Sequence, residues 1–460
     1  MNRELLVIGG GSAGLSAART AVAAGARPTL VTEGPPGGDC TFTGCVPSKA
    51  LIEAAARGED FTAALRRVRG AVDAVAATED EATLATEGID VLRGRAMFLS
   101  PYEVDVGTCV LATDRVVIAT GSAPLLPPVP GLHELEPLTS DNVFTLRQQP
   151  RSLAVLGGGA VGCELAQAFT RLGTAVTVVE AAGRLLPNED PEASDVLADR
   201  FAAEGIKVRT GAEVARASRV GGTALLELAD GGRVETERIL VAAGRRPNTA
   251  GLRLAAAHVD VDRRGAVVTT SCLATTSPAR VYAAGDVTGR IALTHAAHLM
   301  GRVAARNALS RGLPARLDDS VVPRVAFTDP EVAHVGATEQ EAARTHPGAR
   351  VAYLPMAEVD RAVVAGRTDG FVKIISGPRR LLGNTGGGRV LGATVVSERA
   401  GELVHELALA MRTGMFTGRL AQTVHAYPTY AVAVQQAAAQ FVGGHGGRVA
   451  RPVRAEGHPC

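Results

Sequence analysis

Short apolar runs recur along the chain, each too brief for a helix core, and two of them run straight into a glycine-rich turn. Leu5–Ile8 runs directly into Gly9-Gly-Gly11-Ser-Ala-Gly14, and an Ala-rich stretch of helical character follows to about Ala24. A second apolar run, Pro28 to Thr32, then ends in Glu33. The whole pattern returns about 150 residues later. Leu153–Leu156 meets Gly157-Gly-Gly159-Ala-Val-Gly162, a helix is expected to about Leu172, and Ala175–Val179 ends in Glu180. Strand, helix and strand in this order predict parallel βαβ units, and hence an α/β protein with two Rossmann-like dinucleotide-binding domains.

Each glycine has a distinct task. Gly9 and Gly157 allow the tight turn, Gly11 and Gly159 let the backbone come close to a pyrophosphate, and Gly14 and Gly162 let helix and strand pack. The free N–H groups at the helix start then face the phosphates. A carboxylate about 20 residues on, Glu33 or Glu180, can grip ribose hydroxyls. Two such units imply two dinucleotides, and hydride passage between a nicotinamide and a flavin is the evident use. Glu180 favours the 2′-OH of NADH over the 2′-phosphate of NADPH, although Arg184 lies close enough in sequence to keep NADPH open.

Composition narrows the classes. A 460-residue chain calls for several domains, and its net charge of +1 gives no reason to expect nucleic acid or an anionic membrane as partner. No 18-residue stretch escapes Gly, Pro or charge, and the opening Met-Asn-Arg-Glu leaves no room for a signal peptide, so a cytoplasmic location is the expectation. Six cysteines do not make a disulfide scaffold at this length. Cys109, Cys163 and Cys272 lie in strand- or helix-like segments and are expected to be small buried hydrophobes. Lysine stands only at 49, 207 and 373 among 48 basic residues, which makes each one conspicuous. No resident metal site is expected.

From Gly34 to Leu51 the chain reads GPPGGDCTFTGCVPSKAL, with four residues between Cys40 and Cys45 and with Lys49 beyond. This segment resembles the active-site signature of the flavoprotein disulfide reductases, the class I pyridine nucleotide-disulfide oxidoreductases. These include glutathione reductase, dihydrolipoamide dehydrogenase and mercuric reductase. Further motifs follow in order. Ala119-Thr120-Gly121-Ser122 and the Gly244-Arg-Arg-Pro-Asn248 run resemble the family's crossover segments, and Val281–Asp286 resembles its second flavin motif. Residues from Val321 resemble the opening of its dimerisation domain.

The resemblance implies FAD held by Gly9, Gly11, Gly14, Glu33, Lys49, Ala96, Thr120, Gly121, Asp286 and Thr294, with Asp286 on the ribityl chain. It implies NADH or NADPH held by Gly157, Gly159, Gly162, Glu180 and Gly244. Cys45 would face the flavin and Cys40 would be the outer thiol that meets the acceptor. Lys49 and Glu164 would form an ion pair beside the flavin. The expected domains are FAD-binding (1–146 with 274–320), NAD(P)-binding (147–273) and an α+β interface domain (321–445), followed by a flexible tail (446–460). A homodimer is implied, because family active sites borrow the Tyr427 segment from the neighbouring chain.

The end of the interface domain departs from the thiol-disulfide members. They carry His before a Pro-Thr and an acid four places beyond the Pro; here those positions hold Tyr427 and Val432. A phenol titrating near 10 is poorly matched to neutral proton transfer. Mercuric reductase-like members also carry Tyr near this point, and the chain resembles them better. A soft metal ion bound by two thiolates has no leaving thiolate to protonate. Reduction of such an ion, or of a similar small electrophile, is the first expectation. Reduction of a specialised low-molecular-weight disulfide, direct quinone reduction, and a flavin redox sensor with little turnover are the alternatives. His425 is a further candidate acid, set against a packing role, and Cys460 with His458 a candidate metal-handling pair.

Overall fold

The computed structural model describes residues 4–310 and 312–454, so the Cys460 and His458 pair lies outside the described residues. The chain divides into two compact units. The first runs to Pro127 and adds Leu138–Gln149 and Ala243–Leu317; the second comprises Pro128–Pro137, Pro150–Ala242 and the chain from Asp318 onward.

In the first unit, strand β1 (Glu4–Ile8), helix α1 (Ser12–Ala23) and strand β2 (Arg27–Thr32) form the expected βαβ start. β1 is the middle strand of a five-stranded parallel sheet, between β2 and Arg115–Ile118, with Asp90–Arg93 and Arg280–Ala283 at the edges. Leu5–Ile8 are all buried, as a strand covered on both faces requires. Helix Thr294–Leu309 packs on α1, where Gly301 permits the approach: a Cβ there would lie 2.1 Å from Ala13 O. Ser12 and Ser16 donate across this contact to the carbonyls of Thr294 and His298. Residues 252–259 carry no motif, yet Leu252, Leu254, Ala257 and Val259 join Leu6, Ile8 and Phe98 in one apolar cluster.

Two sheets dominate the second unit. A four-stranded parallel sheet orders Lys207–Thr210, Ala175–Glu180, Ser152–Leu156 and Arg238–Val241, with helix Ala160–Arg171 after the glycine turn. An antiparallel six-stranded sheet, with helices Ala400–Arg412 and Val432–Ala439 against it, encloses a core of small and branched residues. Two parallel sheets of βαβ type and this antiparallel helix-backed sheet match the α/β expectation. Among the described residues no helix is long and apolar enough to cross a membrane.

Two expectations need correction. Only Cys163 of the three supposed core cysteines is buried; Cys109 is exposed and Cys272 half-buried. Both sit in tight turns, Cys109 just before the edge strand Val110–Ala112 and Cys272 within the bend closed by Leu273 N on Thr270 O. The tail is tied down at least as far as Arg454. Arg451–Pro452 pairs with Arg350–Val351 as the sixth strand, and Arg451 forks onto buried Glu339 at 2.5 and 3.2 Å.

Candidate active site

Both glycine turns have the shape of a phosphate cradle. Gly9 and Gly157 adopt φ of +114° and +113°, and a Cβ on Gly14 or Gly162 would strike the carbonyl of Gly9 or Gly157 at 1.8 or 1.9 Å. The middle glycines face open space instead. A Cβ on Gly11 would meet only Gly38 Cα at 3.9 Å, and one on Gly159 would meet nothing within 4 Å. Each caps a 12-residue helix, so unfilled room lies against free helix N–H groups, which is what a dinucleotide pyrophosphate needs. The residues present therefore fit two dinucleotides.

The two ribose carboxylates differ. Glu33 is exposed at the end of β2, with Arg95 3.7 Å away. Glu180 is held: Oε2 accepts from Gly158 N at 2.5 Å and Oε1 from Ala182 N at 2.6 Å. Arg184 donates to the carbonyls of Pro187 and Glu189 at 2.7 and 3.1 Å. Both bonds come from Nη2 and tie the side chain to its own loop.

Cys40 lies in a five-residue helix, α2 (Gly38–Phe42), and Cys45 opens the 12-residue helix α3 (Cys45–Ala56). The structure brings the two together, with a hydrogen bond between their side chains. That bond, followed by burial, pushes the Cys40 thiol far above its ordinary range. Cys45 Sγ also lies 3.1 Å from Thr294 Oγ1, at the start of helix Thr294–Leu309. Lys49 is half-buried one turn beyond Cys45 on α3. Glu164, in the second unit, is 3% exposed and accepts from Phe327 N at 2.9 Å.

Asp286 opens the short turn Asp286–Thr288 after strand Arg280–Ala283, where burial pushes its carboxyl upward while Ser122 Oγ donates to it at 2.7 Å. Thr120 Oγ1 donates to Asn248 O at 2.7 Å, and Asn248 Nδ2 returns a bond to Thr120 O at 3.1 Å. Gly121 and Gly244 both have positive φ, and Ala96 is buried in this unit's apolar cluster. Sequence reading missed Arg245, which bridges Ser122, Asp286 and Asp39. Its signal was its place inside the crossover motif, and for Asp39 the position directly before Cys40.

The sequence profile described as Pyridine nucleotide-disulphide oxidoreductase matches residues 3–301. The chain belongs to that family. The profile of the family's dimerisation domain matches residues 322–438 and supports a homodimer. The enzyme is 34% identical over 459 residues to a mercuric reductase of Bacillus cereus, covering 95% of this chain and 71% of that one. It is 34% identical over 453 residues to a dihydrolipoyl dehydrogenase of Chlamydia muridarum, covering 93% and 94%. The HOCl-induced flavoprotein disulfide reductase RclA from Escherichia coli superposes with a TM-score of 0.87 at 29% identity, covering 95% of this chain and 99% of that one. Members of this oxidoreductase family use FAD and NAD(P)H.

Within the stretch matched to the dimerisation domain, Tyr427 is 72% exposed and its hydroxyl donates to Asp360 Oδ2 at 2.7 Å. The Asp360 carboxylate raises the phenol's pKa above its ordinary value. His425 points elsewhere. Its Nδ1 lies 2.9 Å from Thr423 O and its Nε2 3.1 and 3.2 Å from the two Glu406 oxygens. Both ring nitrogens already face protein oxygens, so neither is turned towards a substrate.

Proposed function

We propose that this oxidoreductase passes two electrons from NADH through Cys40 and Cys45 to a soft metal ion or a comparable electrophile without a leaving thiolate. The observation that carries the acceptor class is the Tyr427–Asp360 hydrogen bond. At this position the thiol-disulfide relatives are expected to present an imidazole; here a phenol is held protonated and donates its hydrogen bond to a carboxylate. The phenol is poorly matched to protonating a departing thiolate near neutral pH, and His425 in the same segment is turned to Thr423 O and Glu406.

Bound FAD supplies the coupling between the nicotinamide's two-electron donation and the protein. Gly9, Gly11, Gly14, Glu33, Ala96, Thr120, Gly121, Asp286 and Thr294 are read as its holders, and Lys49 with Glu164 as charged groups beside it. Gly157, Gly159, Gly162, Glu180 and Gly244 are read as the nicotinamide nucleotide's site. NADH is favoured because Glu180 is fixed by backbone donors while Arg184 is spent on Pro187 and Glu189.

The sulfur chemistry balances simply. The oxidised pair takes up two electrons and two protons as its sulfur–sulfur bond breaks. The two thiols then return two electrons to a dication, the sulfur–sulfur bond re-forms, and two protons pass to solvent. A thiophilic ion suits two sulfurs as its only protein ligands. Among the described residues no group of three or more His, Cys, Asp or Glu is arranged to hold a metal.

Purified enzyme should oxidise NADH in the presence of Hg(II), and Cys40→Ser should abolish that turnover. The likeness to dihydrolipoyl dehydrogenases favours a second reading, a small dithiol or disulfide substrate. Faster turnover with a disulfide panel than with Hg(II) would select it. Quinone turnover that survives loss of both cysteines would remove the thiols from the path.

A further inference from the structure

The segment that carries Cys40 is soft by construction. Helix α2 has only five residues, too few to hold a helical shape unaided. Gly37 and Gly38 lead into it with φ of +119° and +62°, conformations that glycine visits freely. Gly44 leads out, so close that a Cβ there would lie 2.7 Å from Asp39 O. Cys45, by contrast, opens a 12-residue helix anchored by buried Leu51, Ala54 and Ala55. One sulfur of the pair is fixed by its own helix; the other depends on what grips the turn.

Two side chains grip it, one on each side of Cys40. Thr41 Oγ1 donates to Glu79 Oε2 at 3.0 Å. Asp39 receives the Nη2 of Arg245 in a salt bridge. Arg245 is itself pinned, with Nε on Ser122 Oγ and Nη2 on Ser122 O, both at 2.7 Å, and Asp286 Oδ2 3.7 Å from Nε. Ser122 and Arg245 lie on the paired strands Ser122–Pro124 and Arg245–Pro247, so the grip ends on a hydrogen-bonded element.

We propose that Arg245 is a positioning residue for the redox pair: by holding Asp39 against the Ser122–Asp286 end of its strand pair, it keeps Cys40 where its sulfur can close on Cys45. A disulfide forms only within a narrow range of Cα separation, so a wandering Cys40 turn lowers the effective concentration of one sulfur at the other. The inference rests on the reading of Cys40 and Cys45 as the redox couple.

The test equilibrates the holoenzyme with mixtures of reduced and oxidised glutathione, quenches with acid, alkylates, and measures the Cys40–Cys45 disulfide by mass spectrometry. In this exchange the disulfide of oxidised glutathione breaks, the protein disulfide forms, and the two protein thiol protons end on two glutathione thiols. Arg245→Met should disfavour the protein disulfide about tenfold, which is about 30 mV in midpoint potential. Asp39→Asn should do the same, and the double variant should go no further, because both remove one interaction. Arg245→Lys, which keeps the charge without the planar fork, should fall between; with Asp39→Asn it carries the test if Arg245→Met does not fold. An unchanged constant in the single variants, or additive effects in the double, overturns the proposal while leaving the redox reading intact. A wild-type enzyme that forms no Cys40–Cys45 disulfide at any ratio overturns both.

Discussion

Tyr427 and Asp360 share one proton donation, the phenol giving and the carboxylate accepting at 2.7 Å. A carboxylate acceptor stabilises the neutral phenol and opposes the phenolate, so the phenol's pKa rises. Asp360→Asn should bring the titration back down towards the ordinary tyrosine range. The signal to follow is the tyrosinate absorbance that disappears in Tyr427→Phe. A titration unmoved by Asp360→Asn would show that the contact does not govern the phenol.

Glu180 and Arg184 give a prediction about nucleotide choice. Glu180→Ala should lower kcat/KM for NADH by about tenfold, the order expected for losing a bidentate ribose contact. Arg184→Ala should leave the NADH to NADPH ratio within about twofold, because its guanidinium already serves Pro187 O and Glu189 O. A large loss of NADPH turnover in Arg184→Ala would mean that this side chain leaves its loop to meet a 2′-phosphate.

Lys373 is wholly buried, with Glu192 at 2.7 Å, Glu339 at 3.1 Å and Asp190 at 3.7 Å. Burial alone would lower its pKa, but the three carboxylates outweigh burial and hold it above the ordinary value. Lys373→Met would leave those acids without their central cation. Removing one partner of a buried ionic group costs about 3–5 kcal/mol, so the urea midpoint should fall steeply. A midpoint within experimental error of wild type would contradict the network's role.

These particulars mark what sequence could and could not reveal. The βαβ units were legible because glycine spacing is dictated locally: Gly14 must be glycine because Gly9 O leaves no room for a Cβ. The Cys40 and Cys45 segment was legible only through its resemblance to a family signature, since four intervening residues by themselves do not pair two cysteines. Arg245 and Asp39 were not, because they stand 206 positions apart and meet only through folding. Lys373 was conspicuous by its rarity, but no periodicity announces that Asp190, Glu192 and Glu339 converge on it. Cys109 was misjudged because strand character says little about which turn bounds an edge strand.

Cys163 predicts a pH dependence of stability. It is fully buried beside the second glycine turn, and burial, with Glu164 and Glu180 adding, pushes its thiol upward. A group whose pKa rises on folding stabilises the fold below its unfolded value and loses that contribution as pH climbs towards the folded one. Stability should therefore decline above about pH 8.5 with a slope of about 1.4 kcal/mol per unit from this thiol. Cys163→Ala should remove that slope; an identical decline in the variant would assign it to other groups.

His425 offers a sharper separation of packing from chemistry. With Thr423 O and Glu406 occupying both ring nitrogens, His425→Asn should lower the melting temperature while acceptor turnover stays within about twofold. Loss of turnover with an unchanged melting temperature would restore it as a proton donor.

The relay itself is tested most directly by counting reactive sulfurs before and after anaerobic NADH. Oxidised enzyme should resist iodoacetamide at Cys40 and Cys45, and one equivalent of NADH should render Cys40 alkylatable, as read by peptide mass spectrometry. Equal labelling of the two cysteines with and without NADH would contradict the account.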